Sequence, residues 1–477
     1  MQRTPPLPPE LWEQIPPVVQ AALMVTIDGY ERRVGALERE VVELKEQLRR
    51  NSHNSSKPPS TDGPHVKRTP PKEPSGRKPG GQAGHPGHRR AMVPVEQVDE
   101  VIACKPTHCR RCGRRVEGQE SQPLRHQVVE LPPVTPPVTE YQVHRLHCVP
   151  CGITTCGQLP AGVPRQCYGP RLASLIALCS GAYRLSKRKI ARFCRDVLGI
   201  PLSEGEVCKI EQTVKHVLHP IVQQARGYVQ TCHANVDETP WRERARRRWL
   251  WTAVTEQGSV FQLAPARGAP VFRELVGKDY TSVVTSDRAK AYDSYPLHRR
   301  QLCWAHLRRD FQAMIDRGGA AKARGEILLA HSNLLFSYWH RLGEGRWARA
   351  TFRWKMSQLR RSFRRELAHG AHSRCPKTAA TCLELIAREP ALWTFVRMEG
   401  IAPTNNAAER GLRHAVLWRK SSYGTQSHKG SRFVESILTV LTTCQQQGRN
   451  VFTYLTACCQ AFYTKSALPS LLPQTSR

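Results

Sequence analysis

The sequence predicts a multidomain protein of the α+β class, in which small N-terminal modules precede an α/β core. Three observations predict it. A heptad pattern and two paired-cysteine motifs near the N-terminus indicate separate small modules. Apolar runs of strand length then recur between residues 229 and 311. Residues 312–400 show only helical periodicity, so a helical segment separates the strands from the last part of the chain.

Length and charge limit the function. A chain of 477 residues is expected to hold about two to four domains and a substantial core. Its 72 Lys and Arg residues against 39 Asp and Glu give a net charge of +33, which favours binding to phosphates through counterion release. A ribosome-like or histone-like packing protein is the alternative, but 40% hydrophobic residues and ten tryptophans favour folded domains. An anionic membrane surface is disfavoured because no amphipathic basic helix dominates, and no apolar run approaches the roughly 18 residues of a membrane span.

Cysteine usage and the first residues bear on the compartment. The stretch MQRTPPLPPELWEQIPP has no apolar segment of the kind that a secretory signal contains. Seventeen cysteines in a chain this long then indicate reduced thiols and a metal site, not a disulfide framework. We therefore expect a cytoplasmic protein without a membrane partner.

A Pro-rich lead, residues 1–20, precedes a helical repeat in residues 21–51. Apolar residues alternate there in steps of four and three, which predicts a coiled coil that joins two or more chains. An amphipathic helix packed on its own domain is the weaker alternative. The seam consists of Leu23, Ile27, Tyr30, Val34, Leu37, Val41, Leu44 and Leu48. Residues 52–100 are basic and rich in Ser, Pro and Gly, which predicts an extended arm suited to tracking DNA.

Two CxxC motifs in residues 101–160 predict a zinc ribbon. A glycine after each motif lets the backbone turn tightly around the thiolates, and four sulfurs complete the tetrahedral shell of one structural Zn²⁺. The expected ligands are Cys109, Cys112, Cys148 and Cys151. Cys104 and Cys156 are less well spaced substitutes, and a redox role would need only one pair. The segments RHQVVELPP and TEYQVHRLHC are expected to be strands.

Residues 161–228 have a helical pattern with a short turn at Gly199 and Pro201. Ser186 and Ser203 stand at predicted helix N-caps, and Glu206 follows Ser203 at capping-box spacing. A DNA-binding helix-turn-helix and an ordinary helical hairpin explain this pattern about equally well. If the first is correct, the residues expected on DNA phosphates are Lys187, Arg188, Lys189 and Arg192.

Residues 229–311 alternate strands with a helix, as in an α/β layer. Asp237 and Asp287 each follow an apolar run and are expected at the ends of their strands, where side chains converge on one rim of a sheet. A third acid, Glu409, lies in residues 401–447 on a helix that Asn405 or Asn406 begins. The Arg-rich helical segment 312–400 separates it from the strands. Residues 448–477 form a helical tail.

Three carboxylates from two strands and one helix would hold two divalent cations, Mg²⁺ or Mn²⁺. Two such ions catalyse in-line displacement at a phosphodiester. Spacing alone does not choose these acids over Asp279, Asp293 or Asp310. The polar and basic residues around Glu409 are expected to hold DNA. They are Asn406, Arg410, Arg413, Arg419 and Lys420.

Longer motifs resemble the bacterial transposases of the insertion-sequence-66 family, nearly from end to end. They occur in the family's order and are NSSKPPSTDG, GRKPGGQAGHPGH, the paired CxxC motifs, VDETPW, SDRAKAYDSYP, CWAHLRRDF and TNNAAERGLRHAVLWRK. The resemblance implies a DDE transposase with an RNase H-like core and a helical insertion between the fifth strand and the glutamate helix. Its catalytic triad matches Asp237, Asp287 and Glu409.

The resemblance also implies cleavage at insertion-sequence ends, transfer of 3′-hydroxyls into target DNA, and accessory proteins encoded by the element, at the bacterial nucleoid. In CWAHLRRDF, His306, Arg308 and Arg309 are expected at DNA, with a core role for His306 as the alternative. Ser421 stands where the family usually has an asparagine, which affects a local DNA contact. A non-catalytic DNA-binding protein or repressor is a rival hypothesis, and an RNase H-like nuclease without strand transfer is another.

Overall fold

The structure is a computed structural model that describes residues 8–52, 54–57, 62, 91–164 and 166–472. Most of the predicted arm, including GRKPGGQAGHPGH, lies outside the described residues, as do the first seven residues of the lead. Within the described ranges, no helix combines the length and the apolar character that a membrane span requires.

The predicted heptad segment is a single long helix. The first two helices are α1 (Pro9–Trp12) and α2 (Pro17–Arg49). None of the side chains of α2 is buried, and the seam residues Leu37 and Val41 are 52% and 46% exposed. The helix is therefore confirmed, whereas its pairing with a second copy stays a prediction.

The segment with the CxxC motifs contains little regular structure. Its two strands, β1 (Arg145–His147) and β2 (Thr154–Cys156), pair antiparallel around the second motif. The prediction of a strand over RHQVVELPP is wrong. Only the last part of TEYQVHRLHC forms a strand that pairs with another strand. Four prolines between residues 132 and 137 remove backbone donors, and nearly all side chains here are exposed, so no core fixes longer strands.

Three helices follow, and their local signals agree with the sequence. They are α3 (Pro170–Gly181), α4 (Lys187–Leu198) and α5 (Glu204–Val229). The Ser186 hydroxyl accepts a hydrogen bond from the Lys189 amide, and Ser203 forms a reciprocal capping box with Glu206. Gly199 ends α4 in the left-handed conformation with φ of 67°, as a glycine permits.

A five-stranded sheet forms the α/β core. Its strands are β3 (Ala234–Glu243), β4 (Arg246–Val254), β5 (Ser259–Ala264), β6 (Val284–Ser286) and β7 (Arg300–Leu302). Their order across the sheet is β5-β4-β3-β6-β7. The first three form an antiparallel meander, whereas β6 is parallel to both β3 and β7. Helix α6 (Ala269–Val276) connects β5 to β6. The predicted meander, crossover helix and further strands are confirmed.

The segment after the sheet is helical, as expected, and has its own core. Its helices are α7 (Trp304–Asp316), α8 (Gly319–Gly343), α9 (Arg349–Ala371), α10 (Pro376–Ala387), α11 (Glu389–Leu392) and α12 (Thr394–Arg397). Trp304 at the start of α7 is fully buried against Phe363 and Trp393. The insertion is therefore packed directly on the end of β7.

The chain then returns to the sheet through α13 (Asn406–Ser422), α14 (His428–Gln446) and α15 (Val451–Thr464). Helix α14 protects the edge strand β5. Three of its side chains, spaced four residues apart, accept hydrogen bonds from alternate backbone amides of β5. The pairs are Glu435 with Leu263, Thr439 with Phe261 and Thr443 with Ser259. These bonds use amides that an additional strand would otherwise pair with.

His233, immediately before β3, gives a pH prediction. Its Nε2 lies 3.1 Å from the Thr285 hydroxyl on β6, and burial lowers its pKa to about 4. The folded protein thus keeps the imidazole neutral where the unfolded chain binds a proton. The stability that this difference contributes is fully present above about pH 6.5 and is lost as the pH falls through about 4. The free energy of unfolding falls by up to about 3 kcal/mol over this range. Chemical unfolding should show a smaller loss in His233→Asn. An identical pH dependence in both proteins would contradict the assignment.

Candidate active site

Two aspartates lie just beyond the parallel pairing of β3 with β6. Asn235 pairs with Thr285, and continuing this register by two positions would place Asp237 opposite Asp287, whose negative charge acts on Asp237. Equal positions on neighbouring parallel strands direct side chains to the same face. Asp287 follows the last residue of β6, as expected. The expectation that Asp237 ends its strand is wrong, because β3 continues to Glu243 in its pairing with β4.

The start of α13 is fastened to the same rim. Asn405, which is fully buried, donates from its side-chain Nδ2 to the Val236 carbonyl at 2.8 Å. Its backbone amide donates to the Cys303 thiol at 3.1 Å. Asn405 therefore precedes the helix, as predicted, but its side chain binds β3 and caps no helix amide. Glu409 lies in the first turn that follows.

The charges of Asp287 and Glu409 affect the pKa of Asp237. Burial raises the pKa of Asp237 well above its ordinary value, and the negative charges of Glu238, Asp287 and Glu409 raise it further. Like charges held this close favour either a bound proton or a bound cation. In the described chain, the three carboxylates do not lie within 4.8 Å of one another as a single cluster.

Glu409 already has neighbours on α7. Its Oε1 lies 3.3 Å from Arg309 Nη2 and 3.6 Å from His306 Nδ1. Burial and the charge of Arg309 lower the pKa of His306, whereas Glu409 raises it. Cys303, at the N-cap of α7, is buried, and burial raises its pKa to about 11. The sequence analysis named His306 and Arg309 but missed Cys303. Cys303 stands three residues before His306, and this spacing would have indicated it.

A second buried acid lies on the other face of β3. The Glu238 carboxylate accepts a hydrogen bond from the Tyr292 hydroxyl and one from Arg267 Nε at 2.5 Å. Arg267 Nη2 also lies 3.9 Å from Asp287. Burial raises the pKa of Glu238. Sequence reasoning missed this residue because consecutive acids in a strand point to opposite faces, and only one of the two was considered.

The rival aspartates Asp293 and Asp310 are committed to arginines. Asp293 pairs with Arg300 at 3.1 Å and with Arg388 at 2.8 Å, and Asp310 pairs with Arg288 at 2.9 Å. Both form part of the framework behind the strand ends. Asp279, the remaining alternative, is exposed.

The predicted DNA-binding residues fall into two groups. Some have protein partners: Lys187 pairs with Glu211, Arg308 donates to Asn333 at 2.6 Å, and Arg419 donates to the Pro240 carbonyl at 2.7 Å. Arg188 pairs with Glu204 at 3.0 Å but stays largely exposed. Exposed side chains also belong to Lys189, Arg192, Asn406, Arg410, Arg413 and Lys420, and Lys420 interacts with other groups of the protein. For all of them, DNA contact stays a prediction.

Comparison with known proteins identifies the family. Residues 165–432 match the family described as "Transposase IS66 family", and this match covers more than half of the chain. The chain belongs to the IS66 transposase family. The IS66 match begins before α3 and ends in α14, so it includes the sheet, the insertion and α13. Residues 9–91 separately match a family of unknown function.

A curated relative is more distant. The chain is similar to an uncharacterized protein, y4qI, of Sinorhizobium fredii (strain NBRC 101917 / NGR234), with 26% identity over 238 residues. That alignment covers 44% of this chain and 42% of the relative, so the match spans about two fifths of its length. The family predicted from the motifs is confirmed by the IS66 match. Membership supports a role in transposition.

Proposed function

We propose that this IS66 transposase cuts DNA at the ends of its insertion sequence and transfers the exposed 3′-hydroxyls into target DNA. Asp237, Asp287 and Glu409 are its proposed catalytic carboxylates. The observation that carries this proposal is the parallel pairing of β3 with β6, which ends at Asn235 and Thr285, two positions before Asp237 and Asp287, together with the hydrogen bond from Asn405 that holds the start of α13 to β3. The strand order β5-β4-β3-β6-β7, with its antiparallel meander, supports an RNase H-like core.

The donor set fits two Mg²⁺ or Mn²⁺ ions. All three groups offer the hard oxygen ligands that these ions prefer, and burial, followed by the charges of Glu238, Asp287 and Glu409, raises the pKa of Asp237. Asp237 would be shared by both ions, with Asp287 and Glu409 each completing one. When bound, such ions act as Lewis acids on the attacking and leaving oxygens of a phosphodiester.

The residues of α7 add a coupled exchange. A cation at Glu409 would compete with the Arg309 guanidinium, whose Nη2 lies 3.3 Å from Glu409 Oε1, and would release it. The freed guanidinium then becomes available to a DNA phosphate, for which its planar fork is suited. Binding of DNA and release of Glu409 would thus support each other, and the exposed residues Arg410 and Arg413 would hold the backbone on the same helix.

The test uses the full chain and the inverted repeats that flank its own gene. With Mg²⁺, we expect nicks that leave 3′-hydroxyls at the element ends, and joining of precut ends to target DNA. Nicking without joining would favour a nuclease, and binding without nicking would favour a repressor. Failure to bind the ends at all would contradict the proposal. Accessory proteins encoded by the element, and action at the cytoplasmic nucleoid, belong to the same proposal.

The exposed seam of α2 supports a homo-oligomer. Its apolar residues meet the heptad spacing, and within the described parts of the chain none of them is buried. Two copies that pair through this seam would bring together the two ends of one element.

We therefore expect Val34→Asp combined with Leu37→Asp to yield monomers, because two charges in the seam cost more than its packing contributes. Light scattering after gel filtration measures the mass. Val42→Asp is the matched control, since Val42 is 65% exposed and lies off the seam. An unchanged mass in the double variant would show that chains assemble elsewhere.

Each CxxC motif closes a tight backbone turn, which is the geometry that a metal-binding knuckle would use. The Cys109 amide donates to the Arg114 carbonyl at 2.8 Å, and the Cys148 amide donates to the Ile153 carbonyl at 2.9 Å. Backbone hydrogen bonds, then the partner thiol, lower the pKa of Cys109. Among the described residues, the four sulfurs do not yet form one set within 4.8 Å. We propose that one Zn²⁺ joins the two knuckles.

Loss of one ligand should release this metal. We expect Cys112→Ser to contain about one zinc less per chain and to lose the protease resistance of residues 101–160. End-DNA binding should weaken as well. Cys167→Ser, whose exposed thiol lies outside the knuckles, should match the wild type. Equal zinc content and protease resistance in Cys112→Ser would leave the four thiols without a metal role.

A further inference from the structure

A second type of metal site lies beside the carboxylates. Cys303, His306 and Glu409 each offer one ligand atom, and these atoms lie within 4.8 Å of one another. No other set of three His, Cys, Asp or Glu ligand atoms meets this criterion in the described ranges. The three residues come from the end of β7, the first turn of α7 and the first turn of α13.

The His306 imidazole at the centre of this cluster has no hydrogen-bond partner at Nδ1. His306 Nδ1 is buried without a hydrogen bond, and a neutral ring protonated at Nε2 would present a lone pair there. A buried nitrogen that accepts nothing is costly unless a ligand satisfies it. A purely structural role would explain the Cys303 thiol, because it accepts a hydrogen bond from the Asn405 amide. Such a role does not explain why His306 Nδ1 lies beside the Glu409 carboxylate without a hydrogen bond.

The ligand types select the cation. Thiolate and imidazole favour Zn²⁺ and similar transition metals, whereas Mg²⁺ takes oxygen ligands. One thiolate and one carboxylate would neutralise a divalent ion, after the thiol gives its proton to solvent and Arg309 leaves Glu409. The fourth position would remain for water.

We propose that Cys303, His306 and Glu409 bind a transition-metal ion such as Zn²⁺ and thereby withhold Glu409 from the catalytic ions. The site would act as an inhibitory switch, because one carboxylate side chain cannot serve both positions. The inhibition rests on the proposed transposase function, whereas the binding does not. A cell with abundant free zinc would thus keep the enzyme from cutting DNA.

The first measurement is zinc content. The full chain, equilibrated with Zn²⁺ against a chromophoric chelator, should bind about one ion more than Cys303→Ser, which retains an acceptor for the Asn405 amide. His306→Gln should also lose this ion, and it covers the case in which the serine variant fails to fold. Cys375→Ser, with a thiol outside the cluster, should match the wild type. Equal zinc content in all four proteins would overturn the site.

The second measurement is cleavage of end DNA at fixed Mg²⁺ with increasing Zn²⁺, each rate normalised to that protein's rate without zinc. Losing a direct ligand should shift the inhibitory concentration of Cys303→Ser upward by about a hundredfold relative to the wild type. Equal inhibition of the two proteins would overturn the switch. If the wild type never cleaves, the proposed function fails, but the zinc content still tests the site by itself.

Discussion

Asp237→Asn is expected to bind end DNA as the wild type does and to cleave it about a thousandfold more slowly or worse with Mg²⁺. The amide removes one negative ligand from the position that both ions would share, and Lewis-acid stabilisation of this kind is worth several kcal/mol of barrier. The fold should survive, because a buried like charge disappears: Asp237 lies within the fields of Glu238, Asp287 and Glu409. Cleavage of labelled end DNA and a gel-shift assay measure the two properties separately.

Asp279→Asn is the matched control for this variant. It makes the same chemical change at an exposed aspartate of the same segment. It should cleave at the wild-type rate. If Asp237→Asn retains cleavage within about tenfold of the wild type, the carboxylate does not hold an essential ion, and the proposed triad is wrong.

Arg300→Met should have the largest effect among residues that do not belong to the triad. Arg300 is fully buried, donates from Nη2 to the Asp287 backbone carbonyl at 2.8 Å and pairs with Asp293 at 3.1 Å. Methionine fills part of the volume but supplies no donor, so the Asp287 carbonyl keeps only its hydrogen bond from the Ser286 hydroxyl and Asp293 keeps only its pair with Arg388. We expect the free energy of unfolding to fall by about 3 kcal/mol. Cleavage should fall as well, because Asp287 loses its anchor.

A positional role can be separated from general instability. Arg300→Lys keeps a cation but not the fork that reaches two acceptors, so its stability and cleavage should both lie between those of Arg300→Met and the wild type. Arg299→Met is the control at the neighbouring position, where the side chain is partly exposed. Urea unfolding at several temperatures, together with cleavage rates, tests this. Wild-type stability of Arg300→Met would show that the buried cation contributes nothing.

Local signals carried most of the fold prediction. The capping box at Ser203 and Glu206 and the strand ending before Asp287 depend on neighbours within a few residues, so the sequence pattern was sufficient. The length of β3 was not predictable in this way. Pro240 is typical of a strand end. Beyond Asn235, however, β6 no longer pairs with β3, so one side is open at Pro240 and a proline is tolerated there.

The site could be predicted only in part from the sequence. The two aspartates and Glu409 were proposed from strand ends and family motifs. Continuing the β3–β6 register past Asn235 and Thr285 would account for the proximity of the aspartates. The meeting of Cys303 with Glu409 depends on how α13 docks on β3 through Asn405, a contact between residues about a hundred to about 170 positions apart. No local pattern encodes such a contact. The same holds for Glu238, whose partners Tyr292 and Arg267 come from later segments.

Asp237, Asp287 and Glu409 are proposed to hold divalent ions jointly. Mn²⁺ binding followed by electron paramagnetic resonance tests this most directly. Zn²⁺ is supplied beforehand in an amount that fills the CxxC knuckles and leaves the Cys303 site empty. We predict two bound Mn²⁺ per wild-type chain in the presence of end DNA, and fewer in each of Asp237→Asn, Asp287→Asn and Glu409→Gln. The same number of Mn²⁺ ions in the wild type and all three variants would contradict the claim.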